Sequence, residues 1–247
     1  MDKNTVLIAV IALLAGFISG FLLANNLNRS EMAAARPQTV APAQAPSNSN
    51  SPAPSDDTLS PDEIRSKIAQ ADADPNNFTY QKNLGIALYR YSTMKSDTNV
   101  LSESERILER AHSIDAKDFD VMVALGNALF DIGFSKKDSA SFQRARDMYQ
   151  KALAVRPDDA DVRTDLGISY YVQDPPDYAR AAAELQSVVN ANPKHDRSMQ
   201  FLAQVYIKQN KIAEAERLLA KIKEVAPGND AIGDLSAQIA AAKSPSK

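Results

Sequence analysis

The chain has 247 residues, a formal charge of −3, two histidines, and neither cysteine nor tryptophan. The missing cysteines exclude disulfides and thiolate metal sites. Mild acidity without a basic block gives no footprint for nucleic acid, which is not expected as a partner.

The first element is Val6 to Ala24, an uncharged run whose only strongly polar side chain is Ser19. At about 1.5 Å per helical residue it extends roughly 28 Å, near the hydrocarbon thickness of a bilayer. A cleaved signal peptide has a shorter apolar stretch ending in a small-x-small site. Leu22-Leu23-Ala24 fits that poorly, and Ala33-Ala34-Ala35 lies too far beyond the run. Residues 1–28 are therefore read as a single-pass membrane anchor. Lys3 before the span and Arg29 and Arg36 after it nearly balance, so the positive-inside rule barely orients it. Ala12, Gly16, Gly20 and Ala24 recur every fourth residue and form a small-residue stripe. Such a stripe permits close helix–helix approach in lipid, and a homodimer through it is the corresponding expectation.

Residues 29–58 form a linker. Between Ala33 and Asp57 lie five prolines, seven alanines and four serines without apolar periodicity, which predicts a disordered tether. At about 3.1 Å per residue it would reach at most roughly 80 Å. A tether after an anchor suits a domain held off an envelope membrane, here the bacterial inner membrane with the domain in the periplasm.

Order resumes at Ser60-Pro61-Asp62-Glu63, a capping box with proline at the first helical position. A helix is predicted over 61–73, stopped at Asp74-Pro75. Helices then follow near 77–92, 99–114, 118–133, 138–155, 159–172, 177–191, 195–209 and 211–225, with a last one over 229–243 and a tail at 244–247. Pro157, Pro193 and Pro227 cannot continue a preceding helix, and Gly133 suits a left-handed C-terminal cap.

Within these helices one pattern recurs. The pairs Leu84-Gly85, Leu125-Gly126, Leu166-Gly167 and Leu202-Ala203 are followed by Leu88, Leu129, Tyr170 and Tyr206, and the copies close at Ala116, Pro157, Pro193 and Pro227. Ala145, Ala181 and Ala215 supply small residues on the second helices. The pattern resembles the tetratricopeptide repeat, a helix–turn–helix unit of about 34 residues. The last copy carries Leu202, Ala203, Tyr206, Ala215, Leu219, Ile222 and Pro227; the third carries Leu166, Gly167, Tyr170, Ala181, Leu185 and Pro193. The second has Leu125, Gly126, Ala128, Ala145, Tyr149, Ala152 and Pro157.

The resemblance implies an all-α, right-handed superhelical solenoid of about four helix pairs with capping helices. Repeats fall at about 77–116, 118–157, 159–193 and 194–227, between a capping helix at 61–73 and another at 229–243. Three glycines at matching helical positions, each costing about 1 kcal/mol relative to alanine, imply close helix crossings that offset that cost. Leu84 to Leu125 and Leu125 to Leu166 are each 41 residues apart, about two helical turns longer than the usual period. Longer helices or longer turns near Met94–Leu101 and Phe134–Ser141 would each account for the excess. The third interval of 36 places extra residues at Asp174-Pro175-Pro176. The first two copies also have Gln81 and Met122 where the family favours an aromatic residue.

No catalytic constellation is present. His112 and His195 lack neighbours at ligand or nucleophile spacing, no glycine-rich phosphate loop occurs, and acidic pairs such as Asp158-Asp159 sit at helix starts. No enzyme activity, cofactor or metal is expected. By the family's geometry, the first helix of each pair lines a concave surface that binds a protein or peptide. That surface would present Lys82, Ile86, Tyr89 and Arg90, then Val123, Asn127, Phe130 and Asp131. Asp161, Thr164, Ile168 and Tyr171 would follow, and then Arg197, Gln200, Gln204 and Lys208. Packing between repeats is the competing reading for Tyr89, Phe130 and Tyr171. The family's C-terminal carboxylate clamp is rejected: Lys82 matches it, whereas Ile86, Ala124, Asp161 and Asp165 do not. The expectation is a membrane-anchored scaffold or adaptor for an envelope complex; an apoprotein-holding factor of a cytochrome c maturation system is the alternative.

Overall fold

The computed structural model describes residues 60–244, and every regular element there is an α-helix. The proposed anchor with its stripe at Ala12, Gly16, Gly20 and Ala24, the linker, and the last three residues lie outside the described residues. Among the described residues no helix is long and apolar enough to cross a membrane.

Helix α1 spans Pro61–Ala73 and opens with both halves of the capping box: Glu63 N–H donates to Ser60 Oγ, and Ser60 N–H donates to Glu63 Oε2. Four helix pairs follow. They are α2 (Phe78–Lys95) with α3 (Thr98–Ile114), and α4 (Phe119–Lys136) with α5 (Ser139–Val155). Then come α6 (Ala160–Val172) with α7 (Tyr178–Ala191), α8 (Asp196–Lys208) with α9 (Ile212–Val225), and the closing helix α10 (Ala231–Lys243). Short polar side chains start most of them. Asn77, Asp97, Asp118, Asp138, Asp159 and Asp177 each accept a first-turn amide proton, and His195 does so through its ring nitrogen. These caps satisfy amides that a helix start otherwise leaves open.

The excess in the first two copies resolves as longer helices. Helices α2 and α4 have 18 residues and α3 and α5 have 17, against 13 or 14 in α6 to α9. Their turns are two residues long: Ser96 and Lys137 take left-handed conformations, φ 54° and 53°, ahead of the capping aspartates. This corrects the role assigned to Gly133. It lies inside α4, buried, and a Cβ there would stand 3.1 Å from the backbone nitrogen of Phe142 and 3.2 Å from Asp138 O. The bare backbone lets the start of α5 close onto α4.

At the pair crossings, a Cβ on Gly85, Gly126 or Gly167 would come within 2.7–2.8 Å of Leu108, Tyr149 or Leu185. Ala145, Ala181, Ala203 and Ala215 are fully buried on the facing sides. Gln81, where an aromatic residue would suit the family, is buried and donates to the carbonyls of Ala71 and Asp74. An amide there ties the end of α1 to α2. The core falls into three clusters along the chain. A cluster under α1 to α3 holds Ile64, Leu84, Leu88 and Ile107. A central one runs from Leu101 to Val205, and a last one joins Met199, Leu219 and Ile222 to Leu235 and Ile239 of α10.

Candidate binding groove

A groove of about 620 Å³ crosses the first helices of the N-terminal half. Helix α2 gives Lys82, Ile86, Tyr89 and Arg90, all predicted, and Asn83, Ala87 and Thr93 besides. Helix α4 contributes Phe119, Asp120, Val123, Ala124 and Asn127, and the start of α6 adds Asp159, Asp161 and Val162. Residues four apart share a helix face, so Lys82, Ile86 and Arg90 form one row, and Val123 and Asn127 a second.

The row on α2 is locked to α4 by polar contacts. Lys82 Nζ donates to Asp118 and Asp120, each at 2.8 Å. Burial works to raise the Asp118 carboxyl, but hydrogen bonds from Lys82 and the Val121 amide hold it below the usual carboxylate range. Burial likewise works to lower Lys82, and its two carboxylate partners outweigh that and raise it. Tyr89 donates to Asp131 at 3.1 Å. Phe119 is fixed by the guanidinium of Arg156, 3.8 Å above its ring. Phe119 and Asp120, at the start of α4, are additional to the predicted set, and nothing in their spacing marks them.

Asn127 is 3% exposed and lines the groove. Its Oδ1 accepts from Tyr149 Oη at 2.9 Å, while its Nδ2 makes no hydrogen bond. A buried unsatisfied donor costs about 1–3 kcal/mol. Arg90 is exposed, and no ion pair or hydrogen bond of its guanidinium is present among the described residues.

Packing takes up several expected surface positions, Phe130 on α4 and others on α6 and α8. Phe130 is buried, edge-on to Phe142 at 5.5 Å between ring centroids. Ile168 is buried in the central core. Thr164 bonds to Ala160 O and Ser198 Oγ, both at 2.6 Å, and Arg197 pairs with buried Asp165. Asp161 also faces the His195 ring at 3.3 Å. Tyr171 packs between Tyr178 and Phe201, and burial pushes its phenol up to about 12. Gln204 is buried, Gln200 half-buried, and Lys208 exposed at the end of α8. The structure therefore gathers the predicted residues of α2 with Val123, Asn127 and Asp161, and leaves the others inside the packing or beyond the groove. No group of three or more potential metal ligands occurs among the described residues.

Residues 177–239 match the family model described as tetratricopeptide repeat. No curated protein matches the chain in sequence. Among solved structures, a crystal structure of MamA aligns with a TM-score of 0.54 at 23% identity, over 66% of this chain and 86% of that one. MamA from Desulfovibrio magneticus RS-1 (residues 41 to its end) aligns at 0.55 and 16%, over 68% and 86%. PilF of Pseudomonas aeruginosa aligns at 0.53 and 20%, over 66% and 68%. The described domain thus has the tetratricopeptide-repeat scaffold fold.

Proposed function

We propose that this tetratricopeptide-repeat domain is a non-enzymatic adaptor that takes up a protein segment in the groove across α2, α4 and the start of α6. Membrane attachment through Val6–Ala24, with the domain on the periplasmic side of a bacterial inner membrane and a role in envelope-complex assembly, belongs to the same proposal. The observation that carries the binding reading is the groove itself, about 620 Å³ across α2, α4 and the start of α6. Apolar Ile86 and Val123 beside polar Lys82 and Arg90 give the mixed surface that peptide grooves use.

The test is affinity capture with the full chain against Ile86→Arg/Val123→Arg, with circular dichroism to verify helix content. Loss of the partners is expected; their unchanged recovery from a folded variant would remove the groove assignment. Protease added to sealed vesicles tests the membrane part, and protection from the periplasmic side would overturn that orientation.

A further inference from the structure

Helix α1 brings the chain to one end of this groove. It runs back along α2 from the turn between them: Gln81 Nε2 donates to Ala71 O at 2.7 Å, and Tyr80 Oη to Lys67 O at 3.2 Å. Ile64, one turn into α1, packs in the same core cluster as Leu84 and Leu88. The 13 residues of α1 rise about 20 Å, and the same rise along α2 from Phe78 ends near Tyr91. Ser60 therefore stands level with the part of α2 where Arg90 and Thr93 line the groove. Two cations line it. Lys82 is taken up by Asp118 and Asp120, whereas Arg90 is exposed and has no ion pair among the described residues. The carboxylates at the other end are engaged too: Asp120 by Lys82, Asp159 as the cap of α6, and Asp161 at His195. Arg90 is thus the ionic handle left over, and it lies at the end where the linker arrives.

Resting on the reading of this groove as a peptide-binding surface, we infer that its resident occupant is the chain's own linker, residues 50–57. Asp57 is three residues from Ser60, a reach of up to about 10 Å. Asp56 and Asp57 are the only acidic residues between Glu31 and Ser60, and they pair with Arg90. From Arg90 to Lys82 is eight positions, about 12 Å, which four residues of proline-rich chain span at about 3.1 Å each. Pro52-Ala53-Pro54 then lie against Ile86, Val123 and Phe119. A proline-rich segment suits such a seat, because its restricted backbone loses little entropy on docking. Tethering gives it an effective concentration on the order of mM, so a weak contact suffices and any partner must displace it. The linker thereby sets a threshold for uptake of a partner.

The chain has no cysteine, so an introduced pair reports proximity without background. Ala53→Cys is combined with Ala87→Cys, exposed in the groove, or with Asn99→Cys, exposed at the start of α3 and outside the groove. The full chain in lipid nanodiscs is oxidised mildly, and the linked peptides are quantified by mass spectrometry. Linking at Ala87→Cys should be the faster. Asp56→Lys/Asp57→Lys should slow it about five-fold, the upper range for exposed ion pairs, and Arg90→Glu in that background should restore it. Equal rates at the two positions, or a rate indifferent to the charge reversal, would overturn the inference. Affinity capture separates it from the groove reading. If the linker holds the groove, Asp56→Lys/Asp57→Lys raises partner recovery. Equal linking rates, with partners still lost in Ile86→Arg/Val123→Arg, would remove the self-docking alone. Preferred linking at Ala87→Cys, with partners indifferent to Ile86→Arg/Val123→Arg, would remove the partner site and leave the self-docking.

Discussion

The first two helix pairs and the last two share one crossing motif but put their first helices to different uses. In α2 and α4 the helices run about one turn longer, and the row Lys82, Ile86, Arg90 stays accessible beside Val123 and Asn127. In α6 and α8 the corresponding side chains are consumed by packing: Thr164 bonds to Ser198, Asp165 to Arg197, and Ile168 enters the core. The crossing motif sets how closely two helices of a pair approach, and both halves obey it. It does not decide whether neighbouring first helices meet through buried polar pairs or leave a channel. That choice rests on a handful of side chains outside the motif.

Three comparisons of variants break or sharpen this contrast. The largest effect belongs to the closed half. The Asp165 side chain is 5% exposed and that of Arg197 14%, so Asp165→Ala removes a buried carboxylate from a mostly buried guanidinium. Removing one partner of a buried pair costs about 3–5 kcal/mol. Chemical denaturation should show that loss, whereas the same truncation at half-open Lys82 should cost no more than about 1 kcal/mol. Equal costs would mean that the two halves are joined alike.

The crossing motif predicts the next effect. At Gly126 an added Cβ would stand 2.7 Å from the ring of Tyr149, which is buried and hydrogen-bonded to Asn127 and has little room to move. Gly126→Ala should destabilise by about 1–3 kcal/mol, the range for overpacking. Gly233 in α10 has nothing within 4 Å of such a Cβ, and Gly233→Ala should gain up to about 1 kcal/mol from helix propensity. Thermal melts of the two variants should move in opposite directions. A common direction would show that Gly126 is not held by its crossing.

The contrast also explains what could be read from the sequence. The helices, their proline stops and the small residues at each crossing leave local, periodic signals, and a repeat fold multiplies them. Accessibility carries no such signal. Asn127 and Thr164 are both polar residues on first helices, yet one keeps an unused donor at a groove and the other bonds across to Ser198. Telling them apart needs the identity of the residue on the next first helix and the angle at which it arrives. Gly133 escapes for the same reason: its tight contacts are with Asp138 and Phe142 at the start of α5.

The smallest effect tests the joint that holds the open half in register. Lys82 spans from α2 to Asp118 and Asp120 at the start of α4, and its contribution should have a defined pH window. The Asp118 carboxyl is held below its ordinary 3.8, so its share of stability is present above that value and is lost as pH falls through the lowered folded one. Lys82 is held above its ordinary 10.5, so its share is complete below that value and disappears as pH rises through the raised folded one. Between about pH 4 and pH 10 the wild-type chain should therefore melt above Lys82→Met, by no more than about 1 kcal/mol of stability. The two curves should converge beyond either limit. The apolar stem of Met keeps the packing of the lysine chain, so a difference persisting unchanged at pH 3 would assign the effect to packing. Because Asp118 also caps α4, that role survives Lys82→Met, and Asp120→Asn in that background tests the second partner alone. It should change nothing further if Asp120 acts on the fold only through Lys82.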